Sequence, residues 1–189
     1  HPFSPSVSRP VVVGKTSMVT VDRVRYSVPV THVGRTLRSE SFVDRVELFD
    51  SHTRVAVHKR TYERGATVLE LAHYLDAFEA KPRAALSCAA LASADPVFTT
   101  ARDLALHTPD GHRTFAAVLL LAREFGLPRL ADALRTAIAT GTVTPECVRQ
   151  IALNSAHRTP APVRVPHTLA ITLQDANITC YDELAVCAS

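Results

Sequence analysis

Nine histidines, four cysteines and a handful of carboxylates are the residues of this chain whose types could carry chemistry. The histidines, among them His32, His52, His58, His73, His107, His112, His157 and His167, scatter over strand ends, turns and linkers, and none stands beside a Ser or Cys in a nucleophile motif. There is no G-x-S-x-G, no H-E-x-x-H and no glycine-rich phosphate loop; the six glycines lie too far apart to cradle a phosphate. Cys88, Cys147, Cys180 and Cys187 show no C-x-x-C spacing, so neither a closed zinc site nor a disulfide framework is expected, and the thiols read as those of a reduced, cytoplasmic protein. Asp22, Asp44 and Asp50 could be imagined as metal-binding carboxylates, but each sits where turn chemistry already explains it. The expectation is a chain with no catalytic, cofactor-binding or metal-binding residues.

The other chemistry on offer is positive charge. Through Arg64 the chain holds eleven Lys and Arg against six Asp and Glu, a net of +5, which leaves about −2 for the remainder of a chain whose total is +3. A local excess of that kind favours a polyanionic partner through phosphate neutralisation and counterion release. The candidate DNA-binding residues are Arg23, Arg25, Arg35, Arg38, His58, Lys59 and Arg60. Such a set would hold duplex DNA by its backbone without reading sequence, because phosphate contacts need only charge and reach. With no Trp and four Tyr, the interleaved aromatics of a single-strand platform are missing. The competing reading is that these guanidinium groups pair with Glu40, Glu47 and other carboxylates of the same segment.

What must position them is a run of short strands. Val19, Val21, Val24, Tyr26 and Val28, then Val46, Leu48, Val55 and Val57, alternate with polar residues at the period of strands buried on one face. The spacing predicts strands over Met18 to Asp22, Val24 to Val28, Arg35 to Ser41, Arg45 to Phe49 and Arg54 to Lys59. Turns fall at Asp22-Arg23, Asp44 and Asp50 to Thr53, Pro29 ends its strand, and Gly34 marks a bend. His1 to Pro10, with three prolines and three serines, reads as an extended, mobile linker.

Near Gly65 the period changes from two to 3.6. Val68, Leu71, Ala72, Leu75 and Phe78 share a helical face, Lys81-Pro82 interrupts it, and an alanine-rich piece covers Arg83 to Ala92. Asp95-Pro96 is a cap followed by proline at the first helical position, opening a helix to Leu106. Asp110 reads as the cap of Arg113 to Phe125, Gly126 as its left-handed terminus, Pro128 as the start of a helix to Ala139, and Thr144-Pro145-Glu146 as the start of another to about Asn154. From His157 the proline-rich stretch RTPAPVRVP is extended and leads to a tail that could dock a partner. No apolar run reaches the roughly 18 residues needed to span a bilayer, so no membrane partner is expected.

Taken in order, V-x-V-D-x-x-x-Y-S-V-P (Val19 to Pro29), H-V-G-R (His32 to Arg35), V-E-L-F (Val46 to Phe49) and V-A-V-H-K-R (Val55 to Arg60) resemble the C-terminal barrel of IstA-type insertion-sequence transposases, itself similar to the barrel of phage Mu transposase. HYLDAFEAKPRAAL (His73 to Leu86), FAAVLLLAREFGL (Phe115 to Leu127) and YDEL (Tyr181 to Leu184) continue the likeness over nearly the whole chain. The fold class expected is α+β: linker 1–15, a small β-barrel over 16–64, an all-helical bundle or short stack over 65–156, and an extended tail over 157–189. The resemblance implies a noncatalytic module, because the acidic-triad catalytic domain of such transposases would lie upstream of the barrel. The partners it implies are duplex DNA, other transposase domains and subunits, and an AAA+ helper ATPase. The rival function is a purely protein-binding or structural module that docks the helper or the catalytic domain.

Overall fold

The computed structural model describes residues 7–157. Seven strands come first: β1 Val7–Val12, β2 Met18–Val21, β3 Val24–Ser27, β4 Thr36–Ser41, β5 Arg45–Asp50, β6 Thr53–Lys59 and β7 Thr67–Val68. Hydrogen-bonded ladders arrange them as a four-stranded antiparallel sheet in the order β1-β4-β5-β6 and a three-stranded sheet in the order β2-β3-β7, in which β7 runs parallel to β3. The inner faces share one core, in which Val13, Val19, Val24, Tyr26, Val28, Leu37, Val46 and Leu48 are almost wholly buried. The architecture is α+β, with the ladders forming two sheets that face a common core.

The five expected strands are present, and two further strands join them. Val7–Val12, expected as linker, pairs antiparallel with β4 from Val7 opposite Ser41 to Val12 opposite Thr36. Pro10 is tolerated there because β1 is an edge strand of its sheet. A second difference lies in β6, where Ala56 and His58 face the core and Val57 is 42% exposed, the reverse of the face expected from the valines. Val46 lies opposite His58 and Leu48 opposite Ala56, and a register shift at Leu48/Phe49 re-phases the strand. Since side chains alternate at a period of two, a one-residue slip exchanges the buried and exposed sets.

The β2–β3 hairpin turns on Asp22 and Arg23, with φ of 48° and 68°. Positive φ at both central residues is what a two-residue hairpin turn matched to strand twist requires.

Beyond β7 a 3-10 turn, Leu71–Tyr74, leads into α1 Leu75–Ala80, α2 Arg83–Leu86, α3 Ala90–Ser93, α4 Pro96–Leu106, α5 Gly111–Leu120, α6 Ala122–Phe125, α7 Leu127–Ala139 and α8 Pro145–His157. A second core gathers Phe78, Leu91, Phe98, Phe115, Leu119, Leu130 and Leu134, each at most 2% exposed. The cap at α4 is as expected: the Asp95 carboxylate accepts the Val97 N–H at 3.0 Å, with Pro96 at the first helical position. Asp110 departs from expectation. It precedes α5 at φ 58° and its side chain caps nothing, while its carbonyl accepts the N–H groups of Arg113 and Thr114. Gly126, at φ 77°, separates α6 from α7 in a conformation that costs glycine least. The expected tail, 157–189, lies outside the described residues apart from His157.

Candidate functional site

The seven candidate cationic residues do not share one face. Arg25 lies on the outer face of the three-stranded sheet, opposite Thr20 of β2 and Thr67 of β7. Arg23 sits at the tip of the hairpin feeding that face, and the Gly65 N–H donates to its carbonyl, which brings Arg64 alongside. Arg38 and Lys59 lie on the other sheet, across the core, in the cross-strand rows that hold Phe49 and Arg45.

Charge compensation separates the two groups further. On the four-stranded sheet, Arg35 reaches Asp50 at 2.9 Å and Arg38 reaches Glu40 at 3.3 Å while its guanidinium lies 4.9 Å from the Phe49 ring centre. Arg45 and Arg54 converge on the buried Glu47. Arg60 bonds Asp22 at 2.8 Å, donates to the Phe42 carbonyl and lies over Tyr62, so it serves as a strap between strand ends. Arg9 also pairs with Asp22, at 3.3 Å. By contrast Arg23, Arg25, Lys59 and Arg64 are exposed and form no ion pair among the described residues. The uncompensated charge of this segment therefore lies at the β2–β3 hairpin with its neighbour Arg64, at Lys59 on the opposite sheet, and at Lys15, which is likewise exposed without an ion pair among the described residues. Arg64 is absent from the sequence-based set because it follows the last predicted strand; its place beside Arg23 depends on the chain returning to pair β7 with β3.

His58 is a correction to the candidate set. It is 4% exposed, and its Nε2 lies 2.6 Å from the backbone carbonyl of Ser27. A carbonyl only accepts, so Nε2 carries the proton and donates. The re-phased register of β6 points this side chain inward, where it presents nothing to a phosphate. Instead it meets His73 edge to face at 5.3 Å between ring centres and Tyr26 at 5.5 Å. His73 Nδ1 lies 2.9 Å from Ser27 Oγ, which also accepts the Glu70 N–H at 2.9 Å, and His73 Nε2 stands 3.6 Å from the Glu70 carboxylate. One donor atom from each of His58, Glu70 and His73 lies within 4.8 Å of the others.

Burial holds both imidazoles neutral. It lowers the His58 pKa, and it pushes His73 from 6.5 to about 4, with the neighbouring His58 adding to the effect. The sequence offered one signal for this cluster, the Glu-x-x-His spacing of Glu70 and His73. Nothing in it linked them to His58 on β6 or Ser27 on β3.

In the helical part, an apolar cleft of about 330 Å³ opens between α4, α5 and the end of α7, lined by Ala101, Leu104, Ala105, Phe115, Val118 and Ile138. Leu104, on its α4 wall, is exposed. Among the described residues, no helix is long and apolar enough to cross a membrane.

Residues 1–70 match the family model described as Mu transposase, C-terminal domain. The chain is also 29% identical, over 197 aligned positions, to a transposase of Aminobacter aminovorans; the alignment covers 97% of this chain and 38% of that relative. No solved structure matches it. The domain match falls on the two facing sheets and the alignment to the relative spans strands and helices alike, so the first part of the chain is similar to a Mu transposase C-terminal domain and the whole of it to about two fifths of a transposase.

Proposed function

We propose that the chain is a noncatalytic module of a transposase that grips the backbone of duplex DNA through the β2–β3 hairpin and contacts protein through its helices. The observation that carries the DNA half is the set of uncompensated guanidinium groups at Arg23, Arg25 and Arg64, flanked by the hydroxyl residues Thr20 and Thr67 of the same sheet. The one carboxylate in the turn, Asp22, is already neutralised by Arg9 and Arg60. Arg23 also holds a left-handed backbone that an arginine adopts at a cost of about 1–2 kcal/mol, which favours a role for the residue at that tip. Phosphate oxygens suit such a surface, and nothing in it reads base edges. Arg35, Arg38 and Arg60 are occupied by their own carboxylates and contribute less than the sequence suggested; Lys59 would reach DNA only from the other sheet.

Replacing Arg23, Arg25 and Arg64 with alanine lowers duplex affinity and reduces the slope of log affinity against log salt by about 0.9 for each phosphate no longer neutralised. Affinity independent of salt, or unchanged in the triple variant, overturns the DNA reading.

A second reading has its own observation. The apolar cleft between α4, α5 and α7, with Leu104 exposed in its wall, suits a protein segment better than a nucleic acid. Under that reading the chain docks an AAA+ helper ATPase or another domain of the transposase. A Leu104→Asp variant that folds normally and still binds its partner protein rules this face out.

A further inference from the structure

His58, Glu70 and His73 come from two separate parts of the chain: His58 from β6, and the other two from the segment that leaves β7 and enters the first helix. Their donor atoms lie within 4.8 Å of one another, and His73 Nε2 and the Glu70 carboxylate are 3.6 Å apart. Two ligand atoms about 2.0–2.1 Å from a tetrahedral zinc ion stand roughly 3.4 Å apart, so that edge of the triangle is nearly at its bound length.

The surroundings are those of a metal site as well. A metal-ligating histidine donates its second ring N–H to an oxygen, which fixes the ring and raises its basicity. Ser27 supplies that partner twice, with its carbonyl on Nε2 of His58 and its hydroxyl on Nδ1 of His73. The Ser27 hydroxyl oxygen has two lone pairs, enough to accept both the His73 Nδ1–H and the Glu70 N–H. In the tautomer where the His73 Nδ1–H donates to the Ser27 hydroxyl, Nδ1 of His58 and Nε2 of His73 are the lone-pair donors. Entry is open on one side: Glu70 is exposed, and a shallow pocket bordered by Arg54, Val55, Val57, Glu70 and His73 leads to it. The Arg54 guanidinium in that wall is directed to Glu47, 3.8 Å away.

We propose that His58, Glu70 and His73 bind a divalent transition metal of the zinc class, with water completing the shell, and that the ion clamps the β-sheet module to the start of the helical region. Two imidazole nitrogens and one carboxylate suit zinc and its first-row neighbours and disfavour magnesium or calcium, which take oxygen shells. The histidines are fixed by Ser27, so the exposed Glu70 side chain makes the closing movement. A structural ion here would couple the two cores beside the hydrogen bonds that Ser27 makes to His73 and Glu70.

The test uses the whole chain without an affinity tag, stripped with a chelator and then dialysed against Zn²⁺, or against Co²⁺ for its visible spectrum. The expected result is about one ion per chain, a strong visible band of low-coordinate Co²⁺, and a raised thermal midpoint. Glu70→Gln is the decisive variant because the side chain is exposed and only its backbone N–H bonds Ser27. It is expected to keep the metal-free thermal midpoint while weakening Zn²⁺ binding by about tenfold or more. His73→Asn is expected to abolish the Co²⁺ band. No binding at micromolar Zn²⁺ overturns the proposal. So does binding that Glu70→Gln leaves unchanged, which would place the ion elsewhere, for example at Cys88 or Cys147.

Discussion

Ser27 Oγ stands 2.9 Å from Nδ1 of His73, a buried contact across 46 residues that ties the three-stranded sheet to the first turn of the helical region. The same oxygen accepts the Glu70 N–H. Ser27→Ala leaves both the imidazole nitrogen and the amide without a partner, at a cost of about 1–3 kcal/mol. Urea unfolding of the metal-free chain checks this, and a change below a few tenths of a kcal/mol would show that water replaces the hydroxyl.

The neutral histidines make stability depend on acid. His73 titrates near 4 when folded and near 6.5 when unfolded, so below pH 6.5 the unfolded chain binds the proton more tightly. Stability is complete above about pH 6.5, falls as the pH drops from 6.5 towards 4, and levels off below that. The loss from His73 alone is about 3 kcal/mol, with His58 adding in the same direction and the nearby Glu70 carboxylate opposing it. Unfolding midpoints at pH 7.5 and 4.5 in a chelator should differ clearly in the natural chain and less in His73→Asn.

Arg60 and Arg25 should behave as opposites. Arg60 holds Asp22, the Phe42 carbonyl and the face of Tyr62, so Arg60→Ala costs about 1–2 kcal/mol of stability. Arg25 has no ionic partner among the described residues, and Arg25→Ala should leave stability within about 0.5 kcal/mol while lowering duplex affinity. Parallel thermal melts and binding titrations separate the two roles, and equal effects on both measurements would erase the distinction.

Gly111 opens α5 buried against the end of α4. A Cβ there would land on the Ala105 carbonyl and crowd Thr108 Oγ1. Since the obstacle is backbone, Gly111→Ala should destabilise the fold by about 1–3 kcal/mol or more, despite alanine's better helix propensity. A calorimetric melt at unchanged or higher midpoint would show that the α4–α5 corner is free to shift.

Local pattern alone determined a good deal of this molecule. Five of the strands follow from alternating valines and turn aspartates, and the Asp95-Pro96 start of α4 follows from capping chemistry between adjacent residues, because each of these needs only neighbours a few positions away. Pairing across long separations decided the rest. Val7–Val12 became a strand because β4 offered it an edge, and the bulge at Leu48/Phe49 turned His58 inward and Val57 out. Those same ladders set Arg25 and Lys59 on different sheets, and they put His58 beside His73 and Ser27. Charge counted along a sequence has no direction, and a histidine's neighbours across a sheet are fixed only when register is.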